Sequence, residues 1–442
     1  MTSTLSPFIS LTELLAENLH TDFYITQQGT YTRADLFAHA CWFSEQLPEK
    51  TYAINLCQDR YLFIVAYLAV MLRNQITLLP PNQSPRTLAD LLSAYSTGYC
   101  ITDKITDDLR LHTVNIHENL LKAHAEILPP IHQDRTLSIS FTSGSTGKPK
   151  AINKNWREFQ SSAELALQQL DLQDKAVTIV STVPPQHMYG LETSLFWPLF
   201  SNLSVHNSRP FFPEDIRSTL QANAAPSVLI STPTHLKACN SSQITWPTVE
   251  KILSSTAPMA LDLAQHIEKR FNAPLFELLG STETLSYASR QPARSEQWLP
   301  YQGIILSEHD TVFSLQGGHL QQPVILDDTF LVAKNGTFTL QGRSTDLIKI
   351  GGKRASLVEL NKLLNAIPGI EEGIFIRDKH ERLAVLVVGN ITKKILVQEL
   401  QQSIDPVFLP RRIIHTTSIP RNATGKPIKA EIEALIRGLA LV

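Results

Sequence analysis

One ten-residue segment constrains the fold more than any other feature of the sequence. It reads Phe-Thr-Ser-Gly-Ser-Thr-Gly-Lys-Pro-Lys and runs from Phe141 to Lys150. A β-rich stretch, Leu137–Phe141, leads into it, and a helical pattern begins near Asn155. Its glycines let the backbone curl so that successive N–H groups face one point, while its hydroxyls add donors and its lysines offset negative charge. The segment therefore predicts a phosphate-binding loop in a domain that mixes strands and helices.

The same segment is not a Walker A loop. That motif requires G-x-x-x-x-G-K-[ST], whereas Gly144 and Gly147 are three residues apart and Pro149 follows Lys148. A P-loop ATPase is therefore a disfavoured interpretation.

The composition indicates a folded soluble protein. Apolar residues make up 43% and charged residues 18% of the 442 residues, which excludes a disordered or collagen-like chain. At roughly 150 residues per domain, this length predicts about three domains, or one large domain and a small one. The formal net charge of −2 gives no polyanion-binding signature, so we predict no nucleic-acid partner.

The cysteines and the amino terminus favour a cytoplasmic location. No C-x-x-C pair is present, so local spacing builds neither a zinc site nor a dithiol motif, and scattered thiols suit a reducing compartment. The longest apolar run, Tyr61–Leu72, is shorter than the roughly 20 residues of a membrane span and predicts a buried helix. The amino terminus lacks the basic residues that begin a signal peptide, so we interpret it as the start of a mature cytosolic protein. An apolar stripe at helical spacing is formed there by Leu11, Leu14, Leu15 and Leu19.

Charge and periodicity divide the chain near residue 341. Residues 343–442 hold 16 Lys and Arg against 10 Asp and Glu, a net of +6, and the preceding residues carry −8. Such a basic tail indicates a separate module that meets something negative, or charges clustered by chance on a solvated face. The best domain boundary is Gln341–Asp346.

Strands and helices alternate along the chain. Strands are predicted at Ala176–Val183, Ser227–Ser231, Ile374–Arg377 and Leu383–Val388, and helices at Trp156–Leu170, Leu261–Phe271, Leu357–Asn365 and Leu396–Ser403.

The loop resembles the Thr-Ser-Gly-Ser-Thr-Gly-x-Pro-Lys signature of the adenylate-forming superfamily, which includes acyl-CoA synthetases, peptide-synthetase adenylation domains and luciferases. Further matches follow in the family's order. Leu279–Glu283 is similar to the family's Tyr-Gly-x-Thr-Glu stretch. Asp328 lies fifteen residues before Arg343, at the family's spacing. The segments Gly342–Arg354 and Pro420–Lys429 resemble the family's hinge region and its terminal lysine loop.

The resemblance implies a role for each matching residue. Glu283 is expected to hold Mg²⁺, Thr282 to bind a phosphate and Lys426 to act in adenylation. Asp328 is expected to bind the ribose and Arg343 to reach a ribose or phosphate oxygen, with Asp346 as the hinge. The Gly351-Gly352 turn is expected to line a pantetheine tunnel. The expected ATP-binding loop consists of Thr142, Ser143, Gly144, Ser145, Thr146, Gly147, Lys148 and Lys150.

The implied fold is α/β, with a large domain over residues 1–341, a hinge at 342–347 and a small mobile α+β domain over 348–442. The large domain is expected to contain layered β-sheets with helices. The interval from Glu283 to Asp328 is shorter than in most relatives, so we expect a trimmed small barrel there.

Two positions depart from the family's adenine pocket. Leu279 replaces the usual aromatic residue and covers a purine face without ring stacking, which predicts somewhat weaker ATP affinity. Glu277 stands where many members have Asn, and its carboxylate can accept the adenine amine's N–H. An ordinary loop glutamate is the alternative for Glu277.

The acid-binding residues follow from two other segments. Pro184–Gly190 resembles the family's Pro-x-x-His-x-x-Gly, which implies that His187 orients the carboxylate and that Gly190 lines the pocket; a structural His187 is the alternative. Ser255–Pro258 aligns with a Gly-Gly-Ala-Pro-like turn that includes Ala257. A branched Thr256 in this turn is expected to shorten the acyl pocket and favour a small or aromatic acid.

The resemblance implies an AMP-forming ligase that joins a carboxylic acid to a thiol. ATP, Mg²⁺ and coenzyme A or phosphopantetheine are its implied cofactors. The thiol donor is either free coenzyme A or an acidic acyl carrier protein, and the basic tail fits both. The alternatives are a fatty acyl-CoA synthetase and a nucleotide-binding relative without catalysis. The presence of the residues assigned to Mg²⁺, ribose and adenylation argues against the inactive relative.

Overall fold

A computed structural model describes the chain outside a few short segments. The described residues are 7–14, 19–26, 29–104, 112–118, 121, 128–142, 150–223, 225–310, 312–343, 347–350, 353–377, 382–421 and 427–438. The chain divides into two compact units. Unit 1 comprises Met1–Ser295, Pro300–Ile304 and Gly317–Gln322, and unit 2 comprises Glu296–Leu299, Ile305–Gln316 and Pro323–Val442.

The larger sheet of unit 1, named here the main sheet, has a parallel centre. Antiparallel strands flank that centre on both sides: Leu285–Arg290 next to the first parallel strand and Thr30–Thr32 next to the last. Central parallel strands are covered on both faces, and Ser227–Ser231 is accordingly buried throughout. The parallel strands run in the spatial order Leu275–Ser281, Lys251–Ser254, Ser227–Ser231, Thr178–Ser181, Ser204–His206 and Asp22–Ile25.

A second sheet of unit 1 carries the serine- and glycine-rich loop. Its last two strands, Thr136–Thr142 and Lys150–Asn155, form an antiparallel hairpin that we call the loop hairpin. A separate two-stranded ladder joins Phe8–Ile9 to Ile131–His132. The remaining strands of the second sheet are parallel, and the sheet order from the hairpin outward is Lys150–Asn155, Thr136–Thr142, Ile76–Leu79, Tyr52–Asn55, Gly98–Thr102 and Thr113–Asn115.

The helices of unit 1 begin where the sequence supplies a cap. Asn155 and Glu158 form a capping box that starts the helix Trp156–Gln169. The helix Arg60–Leu72 is buried on every side from Arg60 to Met71, which accounts for its apolar sequence. The other helices are Leu11–Leu14, Arg33–Glu45, Pro85–Ala94, Met188–Leu191, Trp197–Leu199, Pro213–Ala222, Pro233–Ser241 and Leu261–Phe271, with a π-helical turn at Glu192–Phe196.

Unit 2 has its own apolar core. The strands Ile370–Arg377, Leu383–Gly389 and Arg412–His415 form one sheet, and the core around it includes Leu360 and Leu396 from two helices. Two hairpins pair Asp328–Val332 with Phe338–Arg343 and Leu347–Ile350 with Lys353–Ser356. The helices are Leu357–Asn365, Lys393–Ser403 and Lys429–Gly438, with a 3₁₀ turn at Pro406–Phe408.

The division between the units passes through the interval between Glu283 and Asp328, where the trimmed barrel is expected, and that barrel stays a prediction. That region contains the short strand Leu299–Pro300 and a three-stranded sheet in the order Ile304–His309, Val312–Gly317, Leu320–Leu326. The predicted domain boundary at 341 and the hinge at 342–347 stay predictions, and Asp346 lies outside the described residues.

The predicted α/β fold class, with a large sheet-rich region and a smaller carboxyl-terminal one, is confirmed. The predicted helix at Trp156 ends at Gln169, and the buried helix over Tyr61–Leu72 is present. The strand Lys150–Asn155 was not predicted, so the loop joins two strands and does not lead directly into a helix. In the amino-terminal stripe, the helix covers Leu11–Leu14, Leu15 lies outside the described residues and Leu19 is in a turn.

None of the helices in the described part of the chain combines the length and the apolar character needed to cross a bilayer.

Candidate active site

The carboxyl ends of the parallel strands bring most of the described candidate residues to one edge of the main sheet. The turn with Thr282 and Glu283 follows Leu275–Ser281, and Thr256 follows the neighbouring strand Lys251–Ser254. His187 follows Thr178–Ser181, two strands further along the sheet. In open α/β sheets, ligands bind outside the carboxyl ends of the strands. This edge is therefore the candidate site.

The turn Ser281–Leu285, named here the Glu283 turn, presents two polar side chains at that edge. Within the described residues, neither the Thr282 hydroxyl nor the Glu283 carboxylate has a hydrogen-bond partner or ion pair, and both side chains are half-buried. Leu285 closes the turn with a φ of 55°, which is unusual for a leucine. A Cβ at Gly280 would lie 2.3 Å from the carbonyl oxygen of Leu285, so the hairpin requires glycine there. The turn holds a carboxylate and a hydroxyl ready for a ligand.

Two buried basic side chains hold the backbone of the Glu283 turn. Lys154 Nζ donates to the carbonyl of Glu283 at 2.6 Å. His319 Nε2 lies 2.6 Å from the carbonyl of Thr284, so Nε2 carries the proton. Burial lowers the pKa of His319 to about 4, which keeps the ring neutral near pH 7. Neither residue was predicted from the sequence. The four-residue spacing from Lys154 to Glu158 was a readable ion-pair signal, whereas nothing in the sequence marks His319.

The loop hairpin fixes both ends of the predicted phosphate-binding loop. Thr142 pairs with Lys150 at the last register position before the loop, and the Lys150 side chain is exposed. The two ends of the predicted loop are therefore adjacent, as a loop that curls around a ligand requires. The remaining predicted loop residues lie outside the described residues: Ser143, Gly144, Ser145, Thr146, Gly147 and Lys148.

Thr256 has the most unusual backbone conformation at this edge. Its φ is 82°, in the left-handed region, which a β-branched residue rarely adopts. Such strain persists where the surrounding structure imposes it, and it clusters at ligand sites. Ser255 anchors the turn by donating to the carbonyl of Leu278 at 3.0 Å. Thr256 and Ala257 thus lie beside the strand that leads to Glu283.

The segment Pro184–Gly190 turns sharply after its strand. His187 caps the helix Met188–Leu191, and its Nδ1 accepts the N–H of Tyr189 at 3.3 Å, which places the ring proton on Nε2. A Cβ at Gly190 would lie 2.0 Å from the carbonyl oxygen of Pro184. Glycine at position 190 therefore lets the segment fold back on itself. The predicted roles of His187 and Gly190 in acid binding stay predictions.

Glu277 is a buried strand residue rather than the loop residue considered as the alternative. Its Oε2 accepts from Arg290 Nε at 2.7 Å and Nη2 at 2.6 Å, and its Oε1 accepts the N–H of Met259 at 2.9 Å. Burial raises the pKa of Glu277, and the Arg290 charge opposes that rise. Both carboxylate oxygens thus have protein partners, while Leu279, two residues on, is half-buried. The adenine-binding roles of Glu277 and Leu279 stay predictions.

Glu192 is a further buried carboxyl close to this segment, and no sequence pattern marks it. It begins the π-helical turn after Met188–Leu191 and accepts from the N–H and the hydroxyl of Ser286 at 3.1 and 2.7 Å. Burial raises its pKa to about 7, against the lowering effect of the Ser286 hydrogen bonds and of the Lys154 charge. Glu192 thus titrates near neutral pH.

In unit 2, Asp328 and Arg343 are direct register partners in an antiparallel strand pair. Their joint role in ribose binding stays a prediction. Four other predicted site residues lie outside the described residues: Asp346, Gly351, Gly352 and Lys426.

The donor set fits Mg²⁺ bound together with a nucleotide. Mg²⁺ prefers oxygen ligands and is usually held by one or two carboxylates plus substrate phosphates. Glu283 supplies one accessible carboxylate, next to the hydroxyl of Thr282. Within the described residues, no three His, Cys, Asp or Glu side chains cluster as a metal site of their own. The fit is therefore to a metal that arrives with phosphate ligands.

Two curated proteins give a first comparison. "Putative long chain fatty acid-CoA ligase VraA" of Staphylococcus haemolyticus is 23% identical over 400 residues, which cover 84% of this chain and 85% of that protein. "3,4-dihydroxybenzoate--[aryl-carrier protein] ligase" of Bacillus anthracis is 22% identical and covers 67% of this chain and 73% of its own length.

Solved structures share the fold over nearly the whole chain. The o-succinylbenzoate CoA synthetase of Bacillus subtilis in complex with its acyl-adenylate superposes with a TM-score of 0.82 at 19% identity, covering 96% of this chain and 97% of that one. The same protein with ATP and a magnesium ion gives 0.83 at 19% identity, covering 96% and 98%. An anthranilate CoA ligase with anthranoyl-AMP gives 0.82 at 16% identity, covering all of both chains.

A family model described as AMP-binding enzyme matches residues 20–312, which is more than half of the chain. The match includes the loop hairpin, the Glu283 turn and the turn that contains Thr256. The chain therefore belongs to the AMP-binding enzyme family, as its resemblance to the adenylate-forming superfamily predicts.

Proposed function

We propose that the protein activates a small or aromatic carboxylic acid with ATP and transfers the acyl group to a phosphopantetheine thiol. The observation that carries this proposal is the carboxyl edge of the main sheet. There the side chains of Thr282 and Glu283 have no partner among the described residues, and a strained Thr256 lies in the turn after the neighbouring strand. Curated relatives named as acid–CoA and acid–carrier protein ligases support the reaction class.

In the first step, the substrate carboxylate attacks the α-phosphate of ATP, forming an acyl adenylate and releasing pyrophosphate. Both reactants are anions, so their repulsion is a large part of the barrier. The loop from Thr142 to Lys150 donates to phosphate oxygens, and Lys426 neutralises charge as it develops. His187 donates from Nε2 to the carboxylate and orients it.

The metal site of this step uses Glu283. When bound, Mg²⁺ would offset the negative charge of the phosphates. Glu283 supplies its carboxylate ligand, and Thr282 hydrogen-bonds a phosphate oxygen. Asp328 and Arg343 bind the ribose from one strand pair of unit 2.

In the second step, a thiol attacks the acyl adenylate, the new thioester forms and AMP leaves. The Gly351-Gly352 turn lines the path of the pantetheine arm after the small domain rotates about Asp346. Either coenzyme A or an acidic acyl carrier protein is the thiol donor. The net charge of +6 over residues 343–442 favours both.

A long fatty acid with free coenzyme A is the second candidate, and it is favoured by the relative named as a long chain fatty acid-CoA ligase. The two candidates differ in the length of the acyl pocket. A branched side chain at the Thr256 turn favours the shorter acid. The protein is proposed to act in the cytoplasm, where ATP and coenzyme A are available.

A pyrophosphate-release assay tests the proposal. Short, aromatic and C8–C16 fatty acids are each supplied with ATP and Mg²⁺, first alone and then with coenzyme A or holo-carrier protein. We expect acid-dependent pyrophosphate release with an aromatic or short acid, and thioester formation with one of the two thiols. The absence of acid-dependent release across the whole panel would contradict the proposed function, and a preference for C12–C16 acids would favour the second candidate.

A further inference from the structure

Lys154 joins two separate parts of the candidate site. It lies in the second strand of the loop hairpin, and only 3% of its side chain is exposed. Its Nζ donates to the backbone carbonyl of Glu283 at 2.6 Å and to Oε1 of Glu158 at 2.9 Å. The bond to Glu283 connects residues 129 positions apart in the chain. Lys154 therefore ties the strand that leaves the phosphate-binding loop to the turn that carries the proposed magnesium ligand.

The local backbone directs Lys154 towards that turn. The pairing of the loop hairpin shifts register between Lys154 and Asn155, and such irregularities re-aim side chains next to active sites. Glu158 is itself fixed, because its Oε2 accepts the N–H of Asn155 at 3.1 Å in the capping box. One oxygen of Glu158 thus caps the helix and the other holds the ammonium in place.

Stability alone does not account for a lysine here. Burying an ammonium costs several kcal/mol, and a buried ion pair is often no more stabilising than apolar residues of similar size. The ammonium instead donates to the carbonyl of the residue that carries the candidate metal-binding carboxylate. His319 holds the next carbonyl, that of Thr284. Two successive peptide groups of the Glu283 turn are thereby fixed from the protein interior.

We propose that Lys154 is a positioning residue that sets the Glu283 carboxylate for the metal–nucleotide complex and couples it to the strand Lys150–Asn155. This inference rests on the proposed function, in which Glu283 holds Mg²⁺. Residues that orient a metal ligand without touching the metal typically change metal affinity or activity by about 10- to 100-fold when they are replaced.

The test measures metal binding directly. Calorimetry follows the binding of Mn²⁺ with α,β-methylene-ATP, a nucleotide that cannot react, to wild type and to Lys154→Met. We expect Lys154→Met to weaken this binding by roughly tenfold or more. In the exchange assay, the Mg²⁺ concentration for half-maximal rate rises in parallel. Lys154→Arg keeps a charged donor and restores part of the loss. If Lys154→Met does not fold, Lys154→Gln is measured in its place.

Lys251 supplies a matched control. It is also a buried lysine whose Nζ donates to a backbone carbonyl, that of Leu170. It begins the strand Lys251–Ser254 and so lies at the amino edge of the parallel strands, away from the candidate site. Lys251→Met is expected to lose stability and to keep wild-type Mn²⁺–nucleotide affinity.

Glu283→Gln separates the two hypotheses. If Glu283→Gln weakens Mn²⁺–nucleotide binding while Lys154→Met and Lys154→Gln bind like wild type, the positioning role of Lys154 is wrong and the proposed function stands. If Glu283→Gln itself binds like wild type, the metal site of the proposed function is wrong.

Discussion

At the scale of the residue, the backbone of Thr256 is where local strain and proposed specificity coincide. A β-branched residue at a φ of 82° costs about 1–3 kcal/mol relative to a relaxed conformation. The sequence pointed to this position as a determinant of the acyl pocket, because the family that the chain resembles has a glycine there. The strain itself became visible only in the structure, since it depends on the path of the whole turn between Ser255 and Met259.

Replacement of Thr256 tests its role in the acyl pocket. Glycine adopts positive φ freely, so we expect Thr256→Gly to fold with near wild-type stability. Removing the branched side chain should raise kcat/KM for C8–C16 acids relative to an aromatic acid by about tenfold, the lower end of what a methylene-sized change in a pocket gives. Thr256→Ala, which keeps a Cβ in the strained conformation, is the control. If activity on long-chain acids does not rise in Thr256→Gly, Thr256 does not limit the pocket.

Glu192 predicts a pH dependence of stability. Its pKa rises from an ordinary 4.5 to about 7 because it is buried. The folded protein therefore binds this proton more tightly than the unfolded chain, so the stability from Glu192 is fully present below pH 4.5 and falls as the pH rises towards 7. Between pH 5 and pH 8 the loss amounts to about 2–3 kcal/mol.

Glu192→Gln isolates this contribution, because glutamine keeps an oxygen that accepts from Ser286 and does not titrate. We expect the variant to gain stability relative to wild type between pH 5 and pH 8, measured as the difference in thermal unfolding midpoints at the two values. A constant difference across that range would show that Glu192 does not titrate in the folded protein.

At the scale of the element, hydrophobic periodicity predicts the long helices and buried strands well. The helices Trp156–Gln169 and Leu261–Phe271 form where predicted, because in each the apolar face and the capping or helix-ending residues indicate the same first and last residues. The strand Lys150–Asn155 escaped prediction because its sequence, Lys-Ala-Ile-Asn-Lys-Asn, is polar. Its pairing with Thr136–Thr142 makes it a strand, and such tertiary pairing overrides propensity. The residues missed at the site, Lys154 and His319, reach the Glu283 turn through hydrogen bonds to residues 129 and 35 positions away in the chain, which a local sequence pattern does not show.

The hairpin of Leu275–Ser281 and Leu285–Arg290 distinguishes the two interpretations of Glu277. Glu277 and Arg290 are direct partners in this pair of strands. Breaking a buried ion pair from one side costs about 3–5 kcal/mol. We therefore expect Glu277→Ala to lower the thermal unfolding midpoint clearly, and the double variant Glu277→Met with Arg290→Met to recover most of the loss.

ATP binding by the double variant completes that test. If Glu277 is only structural, the recovered double variant binds ATP like wild type. A stable Glu277→Ala protein with weakened ATP binding would instead support the adenine-binding role.

At the scale of the whole molecule, the order of four sequence blocks predicted the family, because an ordered set of motifs is far more specific than any single one. The sequence also placed a net of +6 over residues 343–442, behind a body of net −8. The parallel sheet explains why residues as distant as His187 and Glu283 share an edge, since the carboxyl ends of parallel strands meet there. The acid and the thiol donor depend on pocket shape, which a sequence pattern does not specify.

In the proposed function, one site adenylates an acid with the help of an ammonium group near the end of the chain. Acid-dependent exchange of pyrophosphate into ATP is measured for wild type and for Lys426→Ala, with thiolysis of a pre-made acyl adenylate as the companion assay. We expect Lys426→Ala to lose exchange by roughly 100- to 1000-fold and still to consume the acyl adenylate with thiol. Near wild-type exchange by Lys426→Ala would contradict the proposed role of Lys426.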